Sequence, residues 1–251
     1  MNQARRSKIV ELLEEKGALN NTEMMDAFGI SIETLRRDLA FLEKRGLLER
    51  VYGGATKRKF MSVEPNYDSR EKKNETEKLA IASSAVQFVN AHDTVFFDNG
   101  TTILYLANAV ARKDINAFTN SLRTAIAISE KGGRVTITGG ELRSGEYALS
   151  GSIAEDNMKR FNIDKAFIGV GGITENGITD FITEEASLRN KIIENADKVI
   201  ALCDHSKFGV RAMCNVCKIT DIDILITDDK APKRTLKEIE KQGVKVIIVK
   251  A

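Results

Sequence analysis

Two groups of residues in this chain have the types and spacing to do chemistry. The first is the adjacent pair Arg36 and Arg37 within "SIETLRRDLAFLEKRGLLERVYGGA" (31–55). A guanidinium presents a fixed fork of donors that suits guanine O6/N7 and phosphate. The second is a series of polar or glycine-bearing segments between 98 and 209: "DNGTT", "TNS", "TGGE", "GVGG", "EEA" and "DHSKFG". In "TVFFDNGTTILYLA", Gly100 can let the backbone close round an anion. Thr101 and Thr102 supply hydroxyls and begin a helix whose free N–H groups and dipole favour a phosphate. A Gly-Thr-Thr turn is equally an ordinary helix cap, and the residues alone leave both readings open. Lys207 is a counter-charge for a phosphate, with Asp204 and Ser206 as polar neighbours. Asp204 and His205 have no evident nucleophile beside them, so no catalytic set emerges.

Metal chemistry has one candidate. Cys203, His205, Cys214 and Cys217 include a C-x-x-C spacing that zinc can use. Cys203 lies in an apolar strand, where cysteine behaves as a small hydrophobe. Neither a metal nor another cofactor is expected.

The elements that must position the arginines are short helices. Between Arg5 and Lys16, Ile9, Val10, Leu12 and Leu13 form an amphipathic face that Gly17 ends. Asn21 or Thr22 is expected to cap a second helix running to Phe28. Ser31 caps a third, in which Ile32, Leu35, Leu39 and Leu42 form one stripe. Gly46 is expected to stop it, and an extended segment then reaches a Gly53-Gly54 turn. Three helices followed by a strand pair make a winged helix-turn-helix. Its third helix enters a DNA major groove. That leaves Glu33, Thr34, Arg36, Arg37 and Asp38 on the outer face. Ser31 stands at its start, Arg50, Tyr52, Lys57 and Arg58 are candidate phosphate contacts, and Gly53 and Gly54 form the wing tip. The competing reading is a plain helical hairpin with the arginines solvated or paired to Glu33 or Asp38.

The rest of the chain alternates strands and helices, which implies a mostly parallel α/β sheet covered by helices. "TNS" (119–121), "TGGE" (138–141) and "GVGG" (169–172) fall at strand ends, where ligands bind in such sheets. Residues 57–75 read as a linker, giving domains 1–56 and 76–251.

Composition bounds the partners. The net charge is +2 over 251 residues. Residues 1–60 hold 12 basic against 9 acidic side chains, and the remainder 26 against 27. The basic excess sits at the N-terminus, as suits contact with DNA, although a solvated face explains it too. No apolar run reaches the ~18–20 residues of a membrane span, so no membrane partner is expected. Three cysteines in a chain this long form no disulfide framework, and a cytoplasmic location is expected.

The run "TLRRDLAFLEKRGLLERVYGGA" closely resembles the signature of the DeoR family of bacterial transcriptional regulators. The resemblance continues through "DNGTT", "TNS", the "GG" before Glu141, "LSG" (149–151), "GVGGITENGITDF" (169–181), "EEA" (184–186) and "DHSKFG" (204–209), in the family's order. It implies a winged helix-turn-helix joined to a sensor domain that resembles sugar-phosphate isomerases. It also implies a homo-oligomer, dimer or tetramer, acting on double-stranded operator DNA as a repressor and released by a phosphorylated sugar or polyol. The implied effector site comprises Asp98, Asn99, Gly100, Thr101 and Thr102, then Thr119, Asn120 and Ser121. Gly139, Gly140, Glu141, Gly171 and Gly172 follow, with Asp180, Glu184, Glu185, Arg189 and Lys207. Asn99 stands where the family often has serine, and Arg189 where it commonly has lysine. The carboxylates would accept bonds from sugar hydroxyls. An isomerase-type enzyme using Glu184 or Glu185 for proton transfer is the alternative.

Overall fold

The computed structural model describes residues 2–44, 47–56 and 64–251. Expectations for Gly46, Lys57 and Arg58 lie outside these residues. The chain forms two compact units, Met1–Met61 and Ser62–Ala251.

The first unit contains α1 (Asn2–Lys16), β1 (Ala18–Asn20), α2 (Asn21–Phe28), α3 (Ile32–Lys44), β2 (Glu49–Val51) and β3 (Gly54–Thr56). Its core is the expected ladder: Ile9 and Leu13 of α1, Met24 of α2, and Leu35, Leu39 and Leu42 of α3. The cap of α2 differs from expectation. Asn20, rather than Asn21 or Thr22, accepts from Glu23 N at 2.8 Å, and the Glu23 carboxylate accepts from Asn20 N at 3.3 Å. This reciprocal pair satisfies two otherwise free amides. Gly29 ends α2 in the left-handed region, φ 59°. Ser31 Oγ accepts from Thr34 N at 3.4 Å, as a cap should. The wing has three strands in the antiparallel order β1-β3-β2, so β1 supplies a strand that the sequence reading lacked.

The second unit begins with α4 (Tyr67–Lys72) and α5 (Glu75–Ala85), followed by β4 (Thr94–Phe97), α6 (Thr101–Val110), β5 (Asn116–Thr119), α7 (Leu122–Glu130) and β6 (Val135–Ile137). A hairpin of β7 (Glu141–Arg143) and β8 (Ala148–Ser150) leads to α8 (Ser152–Met158) and β9 (Lys165–Ile168). Then come β10 (Gly172–Thr174), β11 (Gly177–Asp180), α9 (Thr183–Glu194), β12 (Val199–Leu202), β13 (Cys214–Lys218), β14 (Ile224–Asp228), α10 (Lys233–Lys241) and β15 (Lys245–Val249).

Seven strands form a parallel sheet in the order β15-β14-β12-β9-β4-β5-β6. Successive strand residues point to opposite faces. Phe96, Ala166 and Ile168 therefore pack with Leu188, Ile192 and Ile239 on one side, while Val95, Phe97 and Phe167 pack with Ile81, Ile103 and Leu106 on the other. From β4 the chain adds β5 and β6 in one direction, then returns to place β9 on the opposite side of β4. The order reverses there, and a crevice opens at the carboxyl ends of β4 and β9.

Residues 64–75 fall in the stretch read as a linker. The structure assigns them to the second unit, with Tyr67 4% exposed. Polar composition concealed α4 because its one buried anchor is a tyrosine.

Candidate functional site

On α3, Arg36 and Arg37 are exposed, and neither makes a hydrogen bond or ion pair among the described residues. Glu33 is exposed beside them, Thr34 half-buried. Asp38 is not on this face. It is 2% exposed and accepts from Arg5 Nε and Arg6 Nε, each at 2.7 Å. The helical period explains this: Asp38 lies three residues after Leu35 and four before Leu42, inside the buried stripe. Asp38 thus fastens α3 to α1 and leaves Arg36 and Arg37 free.

On the wing, Arg50 Nε donates to Glu43 at 2.7 Å, and Arg50 N donates to the other oxygen at 3.0 Å. Glu43 thereby ties the wing to the end of α3. Tyr52 is fully exposed, and Gly53 takes φ 82°. Gly54 is buried: a Cβ there would stand 2.2 Å from the Leu19 carbonyl oxygen. Its glycine permits the close approach of β3 to β1. Lys57 lies outside the described residues.

In the second unit a pocket occupies the crevice where the strand order reverses. Asn99, Gly100, Thr101 and Thr102 line it from the β4–α6 loop, Gly171 from the end of β9, and Lys207 from the loop after β12. Gly100, at φ 162°, has an extended backbone open to any residue, so no tight turn requires it. Its contribution is the missing side chain. No side chain caps α6, and its first-turn amides are available to an anion. The Asn99 Oδ1 atom is buried without a partner among the described residues. Lys207 is partly buried, and its ammonium group makes no hydrogen bond or ion pair among the described residues. Burial pushes its pKa down, against the pull of Asp204. Asp204 accepts from Asn74 Nδ2 at 2.7 Å and Ser206 N at 3.0 Å. Its carboxyl, which burial alone would raise, is held below the usual range.

Several residues expected here do other work. Asp98 is wholly buried: Oδ1 accepts from Asn99 N at 2.8 Å and Asn120 Nδ2 at 3.2 Å, and Oδ2 from Gly169 N at 3.0 Å and Arg189 Nε at 2.5 Å. Arg189 also donates to Asp180, whose other oxygen accepts from Phe181 N at 2.5 Å. Arg189 lines the pocket, and its guanidinium bonds two buried carboxylates there. Thr119 and Ser121 serve as local acceptors for Ser121 N and Thr124 N, while Asn120 clamps Asp98. None of the three lines the pocket. Gly139 and Gly140 take φ 73° and 101° ahead of β7, and Glu141 is exposed on that strand. Gly172 packs against the Val210 carbonyl, and Glu184 is exposed outside the pocket. Glu185 does line it. Desolvation raises its pKa to about 7, although Arg143 Nε is 2.5 Å away.

The sequence reading missed the contribution of residues 64–78. Glu64, Arg70, Lys73 and Lys78 all line the pocket. Lys78 is 3% exposed, donates to the Arg70 and Glu71 carbonyls, and burial pushes its pKa down to about 8. A lysine on the inner face of α5 was the available signal.

Residues 5–59 match the family model described as the DeoR-like helix-turn-helix domain, and residues 73–229 match the DeoR C terminal sensor domain. The chain belongs to the DeoR family of transcriptional regulators. Its DeoR relatives include the HTH-type transcriptional regulator GlpR of Haloferax volcanii, 38% identical over 97% of this chain and 96% of that one. The glycerol-3-phosphate regulon repressor of Escherichia coli K12 is 32% identical over 91% of each. Among solved structures, ribose 5-phosphate isomerase A from Methanocaldococcus jannaschii superposes on 54% of this DeoR chain and 55% of its own, at 15% identity and a TM-score of 0.42. Among the described residues no helix is long and apolar enough to cross a membrane.

Proposed function

We propose that the protein represses a sugar or polyol catabolic operon and leaves its operator when a phosphorylated sugar or polyol binds the pocket at β4 and β9. Residues 1–61 grip DNA and residues 62–251 sense the ligand. The carrying observation is an ammonium without a partner, Lys207, lining the same pocket as the uncapped start of α6. Helix N-H groups and a cation together select an anion, and charge-assisted bonds are about twice as strong as neutral ones. The relative named for glycerol 3-phosphate supports this ligand class. One winged helix covers too little DNA for a specific complex, so a homo-oligomer is part of the reading. Its site of action is the cytoplasm, where the operator lies.

A second reading, an isomerase, is favoured by Glu185, a pocket carboxyl with a pKa of about 7. The recognition helix argues against it, since an isomerase has no use for one. Calorimetry with glycerol, pentose and hexose phosphates, each beside its unphosphorylated form, tests the choice. Binding restricted to phosphorylated compounds, and lost in Thr101→Ala/Thr102→Ala, is expected. Turnover of any of them followed by NMR would establish the enzyme instead.

A further inference from the structure

Glu64 is the first described residue beyond 57–63, on the chain that arrives from the DNA-binding unit. Its carboxylate lies between two guanidinium groups. One oxygen is 3.1 Å from Arg70 Nη1 and the other 2.8 Å from Arg143 Nη1. The side chain is 15% exposed. Glu64 and Arg70 line the same pocket as Thr101, Thr102 and Lys207.

Both arginines have a second carboxylate besides Glu64, since Glu146 reaches each of them, at 3.9 Å from Arg143. Arg70 is also paired with Glu146, and Arg143 lies 2.5 Å from Glu185. Arg70 Nε is buried with no acceptor among the described residues. Withdrawing Glu64 therefore strands no buried arginine, the outcome that normally makes breaking such a pair costly. The pocket charges also sense one another. Beyond burial and Asp204, Arg70 pushes the Lys207 pKa down and Glu64 holds it up. A phosphate monoester carries about −1.5 to −2 charges and three acceptor oxygens. It can engage Arg70 and Lys207 together, which a carboxylate fixed at position 64 does not do.

We propose that Glu64 is a resident anion of the sensor pocket, displaced from Arg70 by the phosphate of the effector, and that its release frees the chain leading to the DNA-binding unit. The inference rests on the reading of the pocket as a phosphate site. Glu64 is then the point at which ligand binding becomes a change in the connection to the DNA-binding unit. A ligand alters DNA affinity only by binding two arrangements unequally, and the two arrangements here are Glu64 held and Glu64 released.

Inorganic phosphate is the probe, titrated by calorimetry into the full chain and its variants. Glu64→Gln removes the competitor and should bind phosphate about tenfold tighter, within the usual range of such couplings. Glu64→Asp keeps the charge but shortens the side chain, so that it no longer spans both arginines; it too should bind tighter. Tightening in Glu64→Gln alone would mean a mere field effect and would overturn the proposal, as would no tightening in either. In the wild type, saturating phosphate should weaken operator binding several-fold by fluorescence anisotropy, and Glu64→Gln should bind the operator as weakly without phosphate; operator affinity unchanged in both overturns the relay. The underlying pocket reading fails separately: phosphate binding to Glu64→Gln would then be indifferent to Thr101→Ala/Thr102→Ala.

Discussion

Arg189 Nε donates to Asp98 Oδ2 at 2.5 Å, and both side chains are buried. Because Asp98 also accepts from Gly169 N, this pair joins α9 to the loops after both β4 and β9. It holds the crevice in shape.

Replacing Arg189 by Met should leave Asp98 and Asp180 buried and unpaired, costing the sensor unit about 3–5 kcal/mol in urea unfolding. The Arg189–Asp180 pair also gives the unit an acid limit. Burial alone would raise the Asp180 pKa, but Arg189 more than reverses this and holds it below 3.8. A depressed carboxyl contributes stability that is present above its ordinary pKa and lost as pH falls through the folded value. Wild-type stability should therefore fall below about pH 4, and less so in the variant. An equally steep acid loss in Arg189→Met would contradict this.

Glu185 should act in the opposite sense. Its pKa is raised from 4.5 to about 7, mainly by burial. Its contribution is fully present below 4.5 and is lost as pH rises through about 7. Glu185→Gln should lack that loss. Between pH 5 and pH 8 the wild type should lose up to ~3 kcal/mol relative to the variant, read from paired denaturation curves. Parallel pH profiles would rule it out.

Arg36→Ala and Arg37→Ala should weaken operator binding while leaving calorimetric phosphate binding unchanged. Loss of a base contact should cost ~1–3 kcal/mol and relax specificity at that position, whereas loss of a phosphate contact should lower the salt slope by about one. Fluorescence anisotropy across a salt series separates the two. Operator affinity unchanged in both variants would remove α3 as the recognition helix.

Gly54→Ala should unfold the wing without touching the sensor. The added Cβ would meet the Leu19 carbonyl oxygen at 2.2 Å, so β1 and β3 must separate. A loss of ~1–3 kcal/mol confined to the first unit is expected. Gly53→Ala, with only its φ of 82° to strain and nothing within 4 Å, should cost about 1 kcal/mol. Two resolved unfolding transitions would show whether the sensor stays put.

The winged helix was legible because Leu35, Leu39 and Leu42 keep the helical period and Gly53-Gly54 marks the turn. The α/β sheet was legible because its strands are nearly continuous apolar runs. Two charged residues are buried in ion pairs that their charge alone does not reveal. Asp38 lies within the stripe of Leu35 and Leu42, and Arg189 within that of Leu188 and Ile192, yet both were read by their charge. A charge inside an apolar stripe signals a buried ion pair, since the helix gives that side chain nowhere else to go. Residues 64–78 were illegible for a different reason. Their role is set by partners some 70 residues or more away in sequence, such as Arg143, Glu146 and Asp204. No local period records such pairings.

The reversal of strand order between β4 and β9 has a consequence for the chain during its synthesis. The DNA-binding unit has all its strands by Thr56, and N-terminal units fold first as the chain emerges. The pocket needs β9 beside β4 and then Lys207, so it is finished more than half a chain later. A newly made molecule thus completes its recognition helix and wing well before it completes the pocket that would sense a ligand.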